Sequence, residues 1–447
     1  MHHALPVVMA ITAALAGCAS SSNTAQTGPP TTGSIASPLA QWWQRFNDPL
    51  LSTLVTQALQ ANTSIRSAQA ALQQSRALRD VQNAGLLPGV SASGSAGRSK
   101  SNGNEANNSY RVGLDASWEP DIFGGKRSAL NATEADVLAT EATLADVQVS
   151  MAAEVALAYI QLRGQQAQLI IARRNLASQN ETLQITDWRA QAGLITSLEV
   201  EQARSASEQT GAQIPTLETN IAKTRHALTV LTGQSPEALL TQLIDPQPIP
   251  QAAPDLTLSI PAQTLRQRPD VRSAEHRISA ALARVSAADA ARYPSFSISG
   301  SLGLGAVTLG ALTNGASVAN SLLAAISIPL FDGGSARAQV RAQEAALEQA
   351  RASYQSTVLT ALKDVEDALV ALQGDRARLV RLQGAATAAA NADQLAQYRY
   401  SSGLIDFQIV LQTQRTLFSA QDSVASTSAD ISADHVRLYK ALGGGWN

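Results

Sequence analysis

The sequence predicts an α+β membrane protein built from two internal repeats, with long helices and four short strands. Three observations carry that prediction. Landmarks recur at a nearly constant offset along the 447-residue chain. Apolar residues step in sevens through long proline-free stretches. Two short runs alternate apolar with small residues at the period of a strand.

The duplication is read directly. Arg66-Ser67-Ala68-Gln69 returns as Arg272-Ser273-Ala274-Glu275, and Pro88 returns as Pro294, both 206 residues later. Gly193-Leu194-Ile195 returns as Gly403-Leu404-Ile405, 210 residues on. Ile122-Phe123-Gly124-Gly125 has its counterpart in Leu330-Phe331-Asp332-Gly333-Gly334. Four landmarks keeping step argue for a structural repeat. The expected organisation is a first repeat over 41–245 with a β-hairpin near 88–119, a Pro-rich linker over 246–262, and a second repeat over 263–447 with a hairpin near 294–331. The linker, Asp245-Pro246-Gln247-Pro248-Ile249-Pro250 with Pro254 and Pro261, is stiff and cannot continue a helix.

The helices follow from the heptads. Between Lys126 and Arg189 there is no proline, and Leu144, Met151, Val155, Ala158, Leu162, Leu169, Leu176 and Leu183 share one seam. Val358, Leu362, Val365, Leu369, Leu372 and Leu379 do the same in the second half. Sustained spacing of this kind is a coiled-coil signature. About 60 residues at about 1.5 Å each give a rod about 90 Å long. Further helices are expected over Leu51–Leu87, Leu194–Leu231, Pro269–Arg292 and Leu404–Leu442. Proline and a carboxylate open the Pro269 helix, in the first turn where both fit.

The strands are the segments that break this period. Tyr110, Val112, Leu114, Ala116 and Trp118 alternate with Ser109, Arg111, Gly113, Asp115 and Ser117. Phe296, Ile298, Leu302 and Leu304 alternate with serines and Gly303. Weaker versions lie at Val90–Ala96 and Leu322–Leu330. Such strands fit a transmembrane β-barrel. Four strands leave two open edges, which hydrocarbon does not tolerate, so several chains must close one barrel together. The same multiplication turns a few long helices into a hollow cylinder.

The N-terminus supplies an address. An apolar stretch from Leu5 to Leu15 leads into the lipobox Leu15-Ala16-Gly17-Cys18, with the single cysteine of the chain. It reads as a cleavable signal peptide over 1–17 and a lipidated Cys18 followed by a tether over 18–40. This start resembles those of bacterial lipoproteins, in which Ala19 after the cysteine implies release to the outer membrane. No run of about 20 apolar residues follows, so no spanning helix is expected. Net charge is −2 with 15% charged residues, which leaves no basic face for nucleic acid. There is no HExxH, GxSxG or phosphate loop. His226, His276 and His435 stand singly, so neither catalysis, a metal nor a cofactor is expected.

Five motifs in order resemble the TolC-like outer membrane factors, in the lipoprotein branch typified by OprM and NodT. They are Trp42-Trp43, Trp118-Glu119-Pro120-Asp121-Ile122-Phe123-Gly124, Leu265-Arg266-Gln267-Arg268-Pro269-Asp270-Val271, Pro329-Leu330-Phe331-Asp332-Gly333-Gly334, and the ending Val436 to Trp446. The resemblance implies a homotrimer with a twelve-stranded outer-membrane barrel continued by a long periplasmic coiled-coil barrel. It implies an exit duct of a tripartite efflux system, working with a periplasmic adaptor and an inner-membrane pump of the resistance-nodulation-division type. In the family, tyrosine, arginine and aspartate contacts close the periplasmic mouth. Arg399 and Tyr400 match those types. Gln412 stands where the aspartate is expected, and Asp406 is the candidate replacement. Gly193 and Gly403 mark the two helical turns at that tip. The alternative is a lipid-anchored periplasmic coiled-coil adaptor without a pore, against which the alternating strands argue. The cargo, the partner pump and the partner adaptor are not written in the chain.

Overall fold

The computed structural model describes residues 41–100, 106–252 and 266–444. The signal peptide, Cys18, the tether, Pro254, Pro261, Leu265 and the terminal Gly445-Trp446 lie outside these residues.

A short 3₁₀ turn at Trp42–Phe46 leads into α1 (Pro49–Ala61) and α2 (Thr63–Ala84). Then come β1 (Gly89–Ser99), β2 (Asn107–Trp118), α3 (Gly125–Gln191), α4 (Ser197–Thr232) and the short α5 (Pro236–Leu243). The second half runs α6 (Pro269–Ala290), β3 (Ser295–Ala306), β4 (Ser317–Ser327), α7 (Ser335–Ser401) and α8 (Phe407–Ala441). The repeat holds element by element: α3 and α7 both span 67 residues, and α2 and α6 both span 22. A 67-residue helix is about 100 Å long.

Two expectations from sequence are corrected. The helix expected over Leu51–Leu87 is two helices, broken at Asn62. The Asn62 side chain caps α2 by accepting from Ser64 N and Ile65 N, and its amide donates to the Leu231 carbonyl at 2.7 Å. A residue committed to caps and a distant carbonyl cannot continue the helix. The fourth strand, expected over Leu322–Leu330, runs Ser317–Ser327. Pro329 has no N–H for a ladder, so the apolar run outlasts the strand. By length and composition alone α3 would pass for a spanning helix. Val155, Tyr159, Ile160 and Leu162 on it are fully buried in the protein, as in a core helix.

The four strands form one antiparallel meander in the order β1-β2-β3-β4. The β2–β3 ladder joins the two halves, pairing Val112 with Leu304 and Leu114 with Leu302. Below the sheet α3 packs on α2, α4 and α6, while α7 packs on α6 and α8. The largest core gathers where both halves meet. Trp42 stacks on Tyr439 with ring centroids 5.3 Å apart, and Leu51, Leu54, Tyr159 and Leu162 close around them. Tyr159 donates to Asp48 at 2.9 Å, and burial pushes its phenol up to about 12. Such a joint fixes how the two repeats meet, because stacked aromatics lose much area if they separate.

Candidate functional site: an apolar sheet and two helical tips

Paired residues of an antiparallel ladder point to the same face. The register therefore puts Val90, Ala92, Val112, Leu114, Trp118, Ile298, Leu302, Leu304, Leu322 and Ile326 on one face. Leu114, Leu302 and Ile326 there are 51%, 54% and 63% exposed, so no described part of the chain covers them. The opposite face carries Ser91, Ser93, Gly113, Ser301, Gly303 and Ser321, with Arg111 and Asp115 among them. There Ser93 donates to Asp115 at 2.9 Å, and the Ser301 and Ser321 hydroxyls lie 2.8 Å apart. A band of exposed aliphatics backed by small polar residues fits hydrocarbon on one side and water on the other.

Both outer strands, β1 and β4, have an unpaired edge. Edges with bare N–H and C=O groups need partners in a bilayer. At the end of the sheet nearest the helices lies an aromatic belt. Phe123 stacks on Tyr293 with centroids 5.0 Å apart, and Trp118 Nε1 donates to the Leu86 carbonyl at 2.9 Å. Aromatic rings with one apolar and one polar side favour a membrane interface.

The recurring glycine motifs are the turns from sheet to helix. Asp121 accepts from Lys126 N and Arg127 N at 3.0 and 2.7 Å, capping α3. Asp332 accepts from Gly334 N and Ala336 N, both at 2.8 Å, capping α7. Carboxylates at helix starts meet free N–H groups and the positive end of the dipole.

At the far end, α3–α4 and α7–α8 form two hairpins with the same turn. Gly193 and Gly403 take φ of 70° and 72°. Leu194 N then donates to the Arg189 carbonyl, and Leu404 N to the Arg399 carbonyl, each at 2.9 Å. These are Schellman endings, which need the left-handed conformation glycine adopts without strain.

The sequence-picked tip residues do not come together as one contact. Arg399 and Asp406 are exposed, and so is Gln412. Asp406 precedes α8 without a side-chain cap bond. Tyr400 turns instead toward the other hairpin. The Arg189 guanidinium sits 4.6 Å from the centre of its ring, and Arg189 also donates to the Tyr400 and Ser401 carbonyls at 3.4 and 3.1 Å. Phe407 lies 5.3 Å from Tyr400, ring to ring. Arg189 was missed from sequence, although the duplication pointed to it. It precedes Gly193 by the same four residues as Arg399 precedes Gly403. A buried carboxylate also escaped notice. Asp393 on α7 accepts from Thr413 at 3.2 Å and from Gln397 at 2.9 Å, and burial raises its pKa.

Comparison with known proteins places the chain in a family. A family model described as "Outer membrane efflux protein" matches residues 54–234 and 260–444, one span in each repeat. The chain is 34% identical to the solvent efflux pump outer membrane protein SrpC of Pseudomonas putida, across 93% of this chain and 89% of that protein. It is 32% identical to the pyoverdine export outer membrane protein OpmQ of Pseudomonas aeruginosa, across 92% of this chain and 89% of that one. The solved outer-membrane channel OprN superposes with a TM-score of 0.85 at 37% identity, covering 91% of this chain and 92% of its own. Matched in both repeats and along nearly its whole length, this chain belongs to the outer membrane efflux protein family.

Proposed function

We propose that this protein is the outer-membrane exit duct of a tripartite efflux system. Three copies of the four-stranded sheet close a barrel of twelve strands, and their helices continue it as a tunnel into the periplasm. A periplasmic adaptor and a pump of the resistance-nodulation-division type deliver the cargo, and the duct conducts it passively. The single observation that carries this reading is the exposed apolar face of a sheet with two open edges. A lipid-anchored adaptor has no use for it. The duct has no chemistry of its own. Relatives named for solvent efflux and for pyoverdine export are similarly close to this chain, which supports cargo choice by the pump rather than the duct.

Cys18 carries the lipid anchor in this reading, and the segment before it is removed. Each acyl methylene adds about 0.8 kcal/mol of membrane affinity, so several chains hold firmly. The test is the mass and conductance of the purified protein. A detergent-extracted particle of three chains that opens channels in planar bilayers is expected. A folded, inserted monomer sinks the architecture, and a mature chain without acyl mass sinks the anchor.

A further inference from the structure

The apolar face of the sheet carries one charged side chain among the described strand residues, Arg98. On β1 it pairs with Asn108, and the alternation sets both on the face of Ala92, Ala96, Val112 and Leu114. Both lie at the hairpin end, opposite the end where Gly89 and Trp118 meet the helices. From Trp118 to Asn108 the strand rises about 33 Å. At a tilt of about 40° that is an apolar band about 25 Å tall. Arg98 thus stands where hydrocarbon ends and headgroups begin.

Lys100 follows immediately beyond the strand. Both cations are exposed, and neither has a hydrogen-bond or ion-pair partner among the described residues. Pairing of the free β1 edge with a second copy uses backbone groups and leaves this face to the lipid. A guanidinium at that depth, with no carboxylate partner among the described residues, matches the bidentate geometry of phosphate.

We propose that Arg98, assisted by Lys100, binds phosphate groups of anionic glycolipid headgroups in the leaflet at the hairpin end, once per protomer. The proposal rests on the barrel reading of the sheet. Arg111 provides an internal control. It lies on the same hairpin but on the opposite, small-residue face.

The test uses the full-length protein in phosphatidylcholine nanodiscs, with or without bisphosphorylated lipid A. Lipid A retained per trimer is counted by native mass spectrometry. Arg98→Gln and Lys100→Gln are each expected to weaken retention about fivefold, as for a basic residue near an anionic surface. Arg98→Lys should keep only part of it, since an ammonium supplies the charge without the bidentate fork, and Arg111→Gln should keep all of it. Wild-type retention in the Arg98→Gln/Lys100→Gln double variant overturns the proposal. So does an equal loss in Arg111→Gln, or displacement of the lipid by millimolar inorganic phosphate, which marks a free-anion site. A wild-type protein that binds lipid A with the Arg98 dependence but passes no ions supports this site and speaks against the duct.

Discussion

The two helical tips share one turn geometry and differ in what holds them. In the first, Thr196 and Glu199 form a reciprocal capping box at the start of α4, so the turn is satisfied by its own residues. In the second, the corresponding Asp406 makes no side-chain cap. Its neighbour Tyr400 is held by Arg189, from the other hairpin, and by Phe407. A locally closed turn keeps its shape whatever its neighbour does. A turn held from outside is free to move once that contact breaks. On this ground we propose α7–α8 as the moving part of the mouth and α3–α4 as the fixed part.

The largest effect is expected at the contact between the tips. Arg189→Ala removes a cation–π contact of about 0.5–1 kcal/mol and charge-assisted hydrogen bonds of about 1.5–3 kcal/mol. Threefold symmetry repeats that loss in each protomer, which shifts a closed-to-open equilibrium substantially. Single-channel recordings should show several-fold higher open probability, as should Tyr400→Ala. Arg399→Ala should behave like wild type, since Arg399 is exposed away from this contact. An unchanged Arg189→Ala channel would place the gate elsewhere.

Next in size is the local cap. Thr196→Ala should lower stability by about 1 kcal/mol in denaturant titrations. Conductance should stay at the wild-type level, because the first tip is the fixed one.

Two buried groups sharpen the comparison through pH, with opposite signs. Asp393 on α7 has a raised pKa, mainly from burial, so the folded state holds its proton more tightly than the unfolded chain. Its ionisation therefore costs stability as pH rises above the ordinary value of 3.8. Asp393→Asn should be more stable than wild type at neutral pH, and the gain should vanish in acid. His435 on α8 has a pKa lowered chiefly by burial. Its two ring nitrogens lie 2.8 Å from the Ile431 carbonyl and 3.0 Å from Arg376, which suits the neutral ring. Stability should fall as pH drops below the ordinary value of 6.5, and His435→Gln should flatten that slope. Thermal dissociation of the trimer from pH 4 to 8 reads both.

The smallest effect belongs to Asp406. With no cap bond to lose, Asp406→Asn should leave stability within about 0.5 kcal/mol of wild type. Only reversal potentials should change, toward weaker cation selectivity, if this carboxylate lines the mouth in place of Gln412. Unaltered reversal potentials remove Asp406 from the pore lining.

The sequence by itself determined the elements whose signal is local. β2 and β3 were legible because large apolar residues alternate with small ones along both. The rods of α3 and α7 were legible because heptads run on without proline, and the tips because glycine is the residue a Schellman ending requires. The tertiary structure decided what rests on partners far along the chain. Asn62 ends α1 where Leu231, 169 residues away, receives its amide. Arg189 covers Tyr400 across 211 residues, so residues beside Gly403 could not reveal it. The face of β1, written in glycine, serine and alanine, was fixed only by its ladder to β2. Local backbone preference and hydrophobic period are properties of neighbours in sequence. Caps, ring contacts and strand register between halves are properties of neighbours in space, and only folding brings those together.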